Sequence, residues 1–435
     1  MVRGSFSTYK FNGSEGNQGP YKIVGENSEQ VFYILSGSET VYANGIPLKR
    51  GDNNDYMIDY TNGEIIFTPL FPVNANMRFT IDYQIAENNY TRFISYNGIK
   101  VSNEKLDISV NYYNETDSKN RPVVQELTEF QQTVLSEAGD DKLKMISPSA
   151  VPGAYASNKI LYKKILVDGA EHYVYSNDPA EVLYEVRFSQ VGKNKGDYDI
   201  VTTLAAGRVF GYVPPAEGIK QGSYAALIQL IAPESYQIVD IATKYEPNEK
   251  IELNAELAVS VYDQNLFSDL DDNNNNGFAS KILYEQLLLD KRWDLRGNIN
   301  YEYIADNFRT IERYRNIEFL RDWNLIDPQA ILLQDQQFAA GGLTFSDKKE
   351  SKLVYQFENL RFNEAYQGTR NYLSGVMKFK KTRIDLNSAL LQSATEKEKT
   401  NFLRSYFALL QNIGNGWVGA KTNFERNEIT EKRYK

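Results

Sequence analysis

Residues 251–263, IELNAELAVSVYD, decide the fold of this 435-residue chain. Ile251, Leu253, Ala255, Leu257, Val259 and Val261 alternate with Glu252, Asn254, Glu256 and Ser260, and only Ala258 breaks the rule. The stretch 292–304 repeats the pattern. Trp293, Leu295, Ile299, Tyr301 and Tyr303 face one way, and Arg292, Asp294, Arg296, Asn298, Asn300 and Glu302 face the other. Period-two alternation over this length describes a sheet with one apolar and one wet face. Strands of soluble proteins mostly stop at about 5–6 residues, whereas a tilted membrane-crossing strand needs about 9–11.

Further long strands are expected at 279–289, 336–346, 352–362, 371–380, 383–394, 402–411 and 416–426. Some links are short, as at 289–292 and 380–383, and others long and polar, as at 263–277 and 306–334. Outer-membrane barrels alternate short turns and long loops in this way at their two rims. After residue 350 the alternation weakens, with Lys378, Lys380 and Lys381 crowding one strand, so a soluble, curved antiparallel sheet stays open as an alternative.

Upstream the strands are shorter. Residues 16–86 read as a β-sandwich-like module with candidate strands at 30–35, 39–43, 46–49, 56–60, 64–68 and 77–85. Asn44-Gly45 and Asn62-Gly63 are hairpin signals, because a type I′ turn needs positive φ at both central positions. Met77, Phe79, Ile81, Tyr83 and Ile85 are expected on one face of the last strand. Asn97-Gly98 suggests another turn. Residues 87–245 read as a second β-rich module. Its one helix is expected at 129–138, capped by Thr128 with Gln131, stopped by Gly139, and buried through Phe130, Val134 and Leu135. Residues 246–435 are expected to form an antiparallel barrel or part of one. The fold class is therefore all-β: sandwich-like modules followed by a long-stranded antiparallel β-barrel or part of one.

Composition narrows the chemistry. The chain has 31 Tyr, no Cys and one His, His172. Disulfides and thiolate metal sites are excluded, and His172, in a Tyr-rich strand, reads as structural. The net charge of −9 with no basic stripe argues against a nucleic-acid partner. No apolar run approaches the roughly 20 residues of a membrane helix, so entry into a membrane requires a closed barrel. The first fifteen residues, MVRGSFSTYKFNGSE, lack the apolar core of a signal peptide. The chain is then either cytoplasmic or exported with its signal removed, and export is the expectation. The polar, basic end 431–435 lacks a terminal aromatic and suggests a fragment of a longer chain.

The stretch 34–45, ILSGSETVYANG, followed by 50–67, RGDNNDYMIDYTNGEIIF, resembles the N-terminal β-module of large outer-membrane or cell-surface proteins of Bacteroidota-type Gram-negative bacteria. GKNKGDYD at 192–199 with 207–215, and 265–277 followed by Arg321-Asp-Trp-Asn-Leu325, fit the same group. The resemblance implies an exported envelope protein whose chain continues into more barrel strands. It carries no catalytic residue.

Among local constellations, DLDDNNNNG at 269–277 is the sharpest. Asp272, Asn274 and Asn276 with Gly277 give the D-x-N-x-N-G spacing that wraps a loop around calcium. An EF-hand needs a bidentate Glu at its twelfth position, but Leu283 stands there and Glu285 comes two residues late. The alternative is a solvated Asn-rich hairpin loop. Asp52, Asp55 and Asp59 cluster at a turn and are expected to serve turn chemistry. Arg309, Arg313, Arg315 and Arg321 share a long loop with Tyr314, Phe319 and Trp323. Because Glu312, Glu318 and Asp322 interleave, internal ion pairing competes with ligand binding, and the loop is expected to fold onto the barrel mouth.

No phosphate loop, metalloprotease or serine-hydrolase motif occurs. The expected function is non-enzymatic: a structural or transport-associated envelope protein with outer-membrane lipid, other envelope proteins or surface glycans as partners, and with calcium as the one cofactor to consider. The alternative is a soluble surface adhesin or glycan-binding sandwich.

Overall fold

The computed structural model describes residues 4–24, 34–85, 89–123, 126–204, 207–325, 331–347 and 349–431. The strand expected at 30–35 and the basic end 432–435 lie largely or wholly outside the described residues.

The molecule is all-β. Its dominant element is a 12-stranded antiparallel sheet in which each strand pairs with its neighbours in sequence order. We number these strands β1 (Tyr90–Ser102), β2 (Leu106–Pro122), β3 (Ser235–Asn248), β4 (Ile251–Asp263), β5 (Asn276–Asp290) and β6 (Asp294–Ile304). The remaining six are β7 (Gln336–Ser346), β8 (Lys352–Phe362), β9 (Tyr366–Phe379), β10 (Thr382–Thr395), β11 (Glu398–Ile413) and β12 (Gly416–Glu431). β1 and β12 are not paired with each other, so the sheet is open rather than a closed barrel.

Two boundaries differ from the sequence reading. The sheet begins at residue 90, so the division expected at 245/246 falls inside the β3–β4 hairpin. Asn97-Gly98 is not a turn. It lies within β1, paired with Tyr112 and Asn111, and the chain reverses at 103–105 instead. There Asn103 Oδ1 accepts hydrogen bonds from the Lys105 and Leu106 amides.

The two rims differ. At one, the connections are 103–105, 249–250, 291–293, 347–351, 380–381 and 414–415, all short. At the other lie 123–234, 264–275 and 305–335, together with the short links 363–365 and 396–397. Both small modules and every long connection therefore leave the sheet from the same rim.

The first module packs the sheet of 5–12, 78–85, 40–43 and 46–47 on the sheet of 21–22, 64–67 and 56–59. Phe79, Ile81 and Tyr83 are buried as the alternation requires, against Ile23, Val41, Ile65 and Phe67. Asn44 (φ 49°) and Gly45 (φ 82°) both take the positive φ expected of their hairpin. At the second signal only Gly63 does (φ 60°), while the Asn62 amide donates to Asp59.

The second module is inserted between β2 and β3. Its helix α1 (Glu129–Ala138) has the expected Thr128–Gln131 capping box. The buried stripe is shifted. Leu135 and Ala138 meet Met145 and Leu230, whereas Phe130 is 61 % exposed. The helix also meets the 264–275 loop, where Asn265 Nδ2 donates to the Leu135 and Gly139 carbonyls. The helix buttresses the rim of the sheet.

Candidate functional site

Register assigns the two faces of the large sheet. Val110, Ile241, Leu257 and Ser280 are consecutive cross-strand partners, followed one pleat along by Ile282 and Tyr301. The same face continues through Leu343, Tyr355, Leu373, Ser388, Ser405 and Phe424. Among the paired residues on this face the charged side chains are Asp263, Arg361, Lys399, Arg426 and Glu428, all toward the rim of the long connections. The rest is a band of apolar, aromatic and small polar side chains. Among the described residues nothing packs on it: Ile99 is 72 % exposed, Leu257 49 %, Ile299 64 % and Val418 62 %. Ile299 and Tyr301 therefore face outward, with no second sheet over them among the described residues.

The opposite face is polar and partly filled. The described part of the connection 305–335, which includes α2 (Phe319–Asp322), lies on it as a plug. Apolar packing holds one end: Phe319, Trp323 and Leu325 meet Leu360, Phe362, Tyr366, Leu391 and Phe402. The Tyr366 hydroxyl donates to the Trp323 carbonyl at 2.5 Å.

Ion pairs fix the rest. Asp322 takes Arg404 at 2.5 Å and Arg370 at 3.3 Å, and Arg370 also reaches Glu358 at 2.5 Å. Arg315 pairs with Glu302 at 2.6 Å, and Lys281 approaches the same carboxylate at 3.7 Å. Arg321 pairs with Glu425 on β12. At the other end the Arg309 amide donates to Ser260 Oγ at 3.0 Å, and the Tyr236 hydroxyl donates to the Arg309 carbonyl at 2.7 Å. Burial, reinforced by the Glu302 carboxylate, pushes the Tyr314 hydroxyl well above its ordinary range.

The Arg-rich loop thus resolves toward internal pairing. Arg313, Arg315 and Arg321 each meet a carboxylate, whereas Arg309 Nη1 donates to the Asp306 carbonyl, and removing Arg315 would leave Glu302 in a poorly solvated interior. Between Phe308, Ile311 and Tyr314 of the plug and Ala258 and Ala279 of the wall, a cavity of about 210 Å³ remains. That is below the usual range of about 300–1,000 Å³ for small-molecule pockets.

The plug also carries the first module. Arg313 pairs with Asp82 and donates to Thr8 Oγ1 at 3.0 Å. Arg78 reaches Glu318 at 3.2 Å. Gly45 lies against Glu318, whose Cγ would be 2.7 Å from a Cβ at position 45. The hairpin glycine therefore also makes room for the contact between module and plug.

The three residues singled out for calcium are not brought together as an EF-hand-like loop. Asp272 and Asn274 fall in one turn of 3₁₀ helix, and Asn276 begins β5 opposite Val261. The Asp272 carboxylate accepts from the Asn275 amide at 3.1 Å. Among the described residues no group of three or more His, Cys, Asp or Glu is placed to hold a metal ion. Gly277, read as the bend of a cation loop, has a different task. A Cβ there would lie 2.2 Å from the Phe308 Cα, so its missing side chain lets the plug backbone pass.

Nearby, burial first and then Asp263, Asp271 and Asp272 raise the Asp140 carboxyl above its ordinary value. Asp52, Asp55 and Asp59 serve turns as expected, accepting from the Asn53, Lys49 and Thr61 amides respectively. His172 lies 3.9 Å from the Tyr212 ring, in an aromatic group with Tyr198.

Residues 6–87 match a family model described as a domain of unknown function (DUF8818). No curated protein and no solved structure matches the chain.

Proposed function

We propose that this chain forms part of an outer-membrane β-barrel wall whose lumen is filled from one rim by the 305–335 plug, with two small β-modules standing on that rim. Its role is structural or transport-associated, and it is not an enzyme. The observation that carries the reading is the uncovered apolar face running across twelve strands, with its charges confined to one rim. Soluble monomers rarely leave contiguous apolar patches above a few hundred Å² in water. Strand length agrees with a membrane span: eleven residues at about 3.3 Å rise, tilted about 40°, project to roughly the 30 Å of a hydrocarbon core.

The mixed-charge inner face suits a lumen, and the plug occupies it where a water-filled pore would otherwise run. Outer-membrane barrels keep short turns at the periplasmic rim and long loops outside. On that rule both modules and the plug's point of entry lie on the cell exterior, with lipid as the partner of the apolar face.

Fractionation tests the reading. A wall of this kind stays with membranes through alkaline carbonate washing and gives a folded band in detergent gels that shifts on boiling. Release as a soluble, non-shifting species would overturn it in favour of a soluble surface adhesin.

A further inference from the structure

The charged side chains of the outward face are unevenly spread. Asp263 is on β4, whereas Arg361 is on β8, Lys399 on β11, and Arg426 and Glu428 on β12. Glu428 pairs with Arg426 beside it. Arg361 and Lys399 are exposed and have no carboxylate partner among the described residues, and Arg361 Nε donates instead to the Asn363 carbonyl at 2.9 Å. The sector from β8 to β11 therefore carries two uncompensated positive charges on its outer side.

Register places these two in one cross-strand row. Arg361 opposes Gln367, Gln367 opposes Ala394, and Ala394 opposes Lys399. Three strand spacings of about 4.8 Å set them about 14 Å apart. The row lies at the rim of the long connections. Toward the other rim the same face stays apolar to the turns, through Leu353, Phe379 and Ile413. The positive charge is thus offered at one rim only, and there only over part of the sheet.

Resting on the membrane reading above, we infer that the outer side of β8 to β11 is a binding surface for phospholipid headgroups of net negative charge, in the leaflet at that rim. Their phosphates supply the counter-charges that Arg361 and Lys399 lack, and the Arg361 guanidinium suits a phosphate through paired N–H donors. Both side chains are long enough to lay their stems on apolar surface while their heads reach the headgroup layer. The sector from β1 to β7, whose one outward charge among the paired residues is Asp263, offers no such attraction. A cation at a membrane surface favours anionic lipid by about fivefold per side chain, and salt weakens the preference.

The test reconstitutes the full-length protein in bilayers that mix phosphatidylcholine with phosphatidylglycerol. A photo-crosslinking residue stands either at Gln367, inside the row, or at Asn276, at the same rim on β5 beside the strand that carries Asp263. Mass spectrometry of the adducts reads which lipid each position captures. Gln367 is expected to capture phosphatidylglycerol about fivefold or more above its share of the bilayer, and Asn276 is not. Arg361→Gln combined with Lys399→Gln should abolish the preference at Gln367. Equal capture at the two positions, or a preference that survives the double substitution, would overturn the inference, while the lipid adducts themselves would uphold the membrane reading. Absence of lipid adducts at both positions would remove that reading and the inference with it.

Discussion

Phe308 lies so close to Gly277 that a Cβ at position 277 would sit 2.2 Å from the Phe308 Cα and 2.3 Å from its amide nitrogen. The contact is backbone on backbone, so no rotamer change relieves it. Gly277→Ala is expected to push the plug away at its first turn, at a cost of about 1–3 kcal/mol, typical of overpacking. Limited proteolysis of membrane-embedded protein checks this. Cleavage within 305–335 should rise while the folded, heat-modifiable band persists.

Asp322 is the shared counter-ion of Arg370 and Arg404. Asp322→Asn leaves Arg404 without its carboxylate and Arg370 with Glu358 alone. Because Asp322 keeps some exposure, the loss is expected at or just below the low end of the roughly 3–5 kcal/mol for breaking a buried pair. Denaturant titration of purified protein should show it. Adding Arg404→Met should restore part of it, since the unpaired charge goes with the carboxylate while Arg370 keeps Glu358.

Arg313 joins the plug to the first module through Asp82 and Thr8. Arg313→Ala is expected to loosen the module without unfolding it, because the module has its own core around Ile65, Phe67 and Phe79. Hydrogen exchange would report faster exchange in 307–318 and unchanged protection in 78–85.

Asp140 is raised by burial and by neighbouring aspartates, and it lies outside the strands of the wall. A carboxyl raised in the folded state binds its proton more tightly there than in the unfolded chain. Its contribution therefore favours the fold at acid pH and declines as pH rises from the ordinary carboxylate value through the raised one. Asp140→Asn should raise the melting temperature at pH 7 more than at pH 4. An equal shift at both values would contradict the electrostatic cause.

Much of this architecture was legible in the chain. The alternation of 251–263 and 292–304 marked the strands and their two faces, because a sheet with one wet side imposes period two on its sequence. Thr128, Gln131 and Gly139 marked the helix through backbone groups that any helix end must satisfy. Recruitment of 90–122 into the wall was not legible. Short-module strands and wall strands share the same alternation, and β2 finds β3 only after an insertion of 112 residues, 123–234.

The plug clamp was half legible. The Arg-rich loop stood out, but Glu302, Glu358, Arg370 and Arg404, which hold it, are single charges on four separate strands that no local spacing distinguishes. Gly277 drew attention through a calcium-loop pattern, although what places a glycine there is the passage of a distant backbone.

The central claim is that the face bearing Leu257 meets lipid while the face bearing Asn254 does not. The direct measurement compares Leu257→Arg with Asn254→Arg in the full-length protein, scoring carbonate-resistant membrane retention and the heat-modifiable band. Arg near mid-bilayer costs about 2–4 kcal/mol on a lipid-facing position and far less in a polar lumen. The account predicts that Leu257→Arg loses both signals and Asn254→Arg keeps them. Equal assembly of the two variants would contradict it.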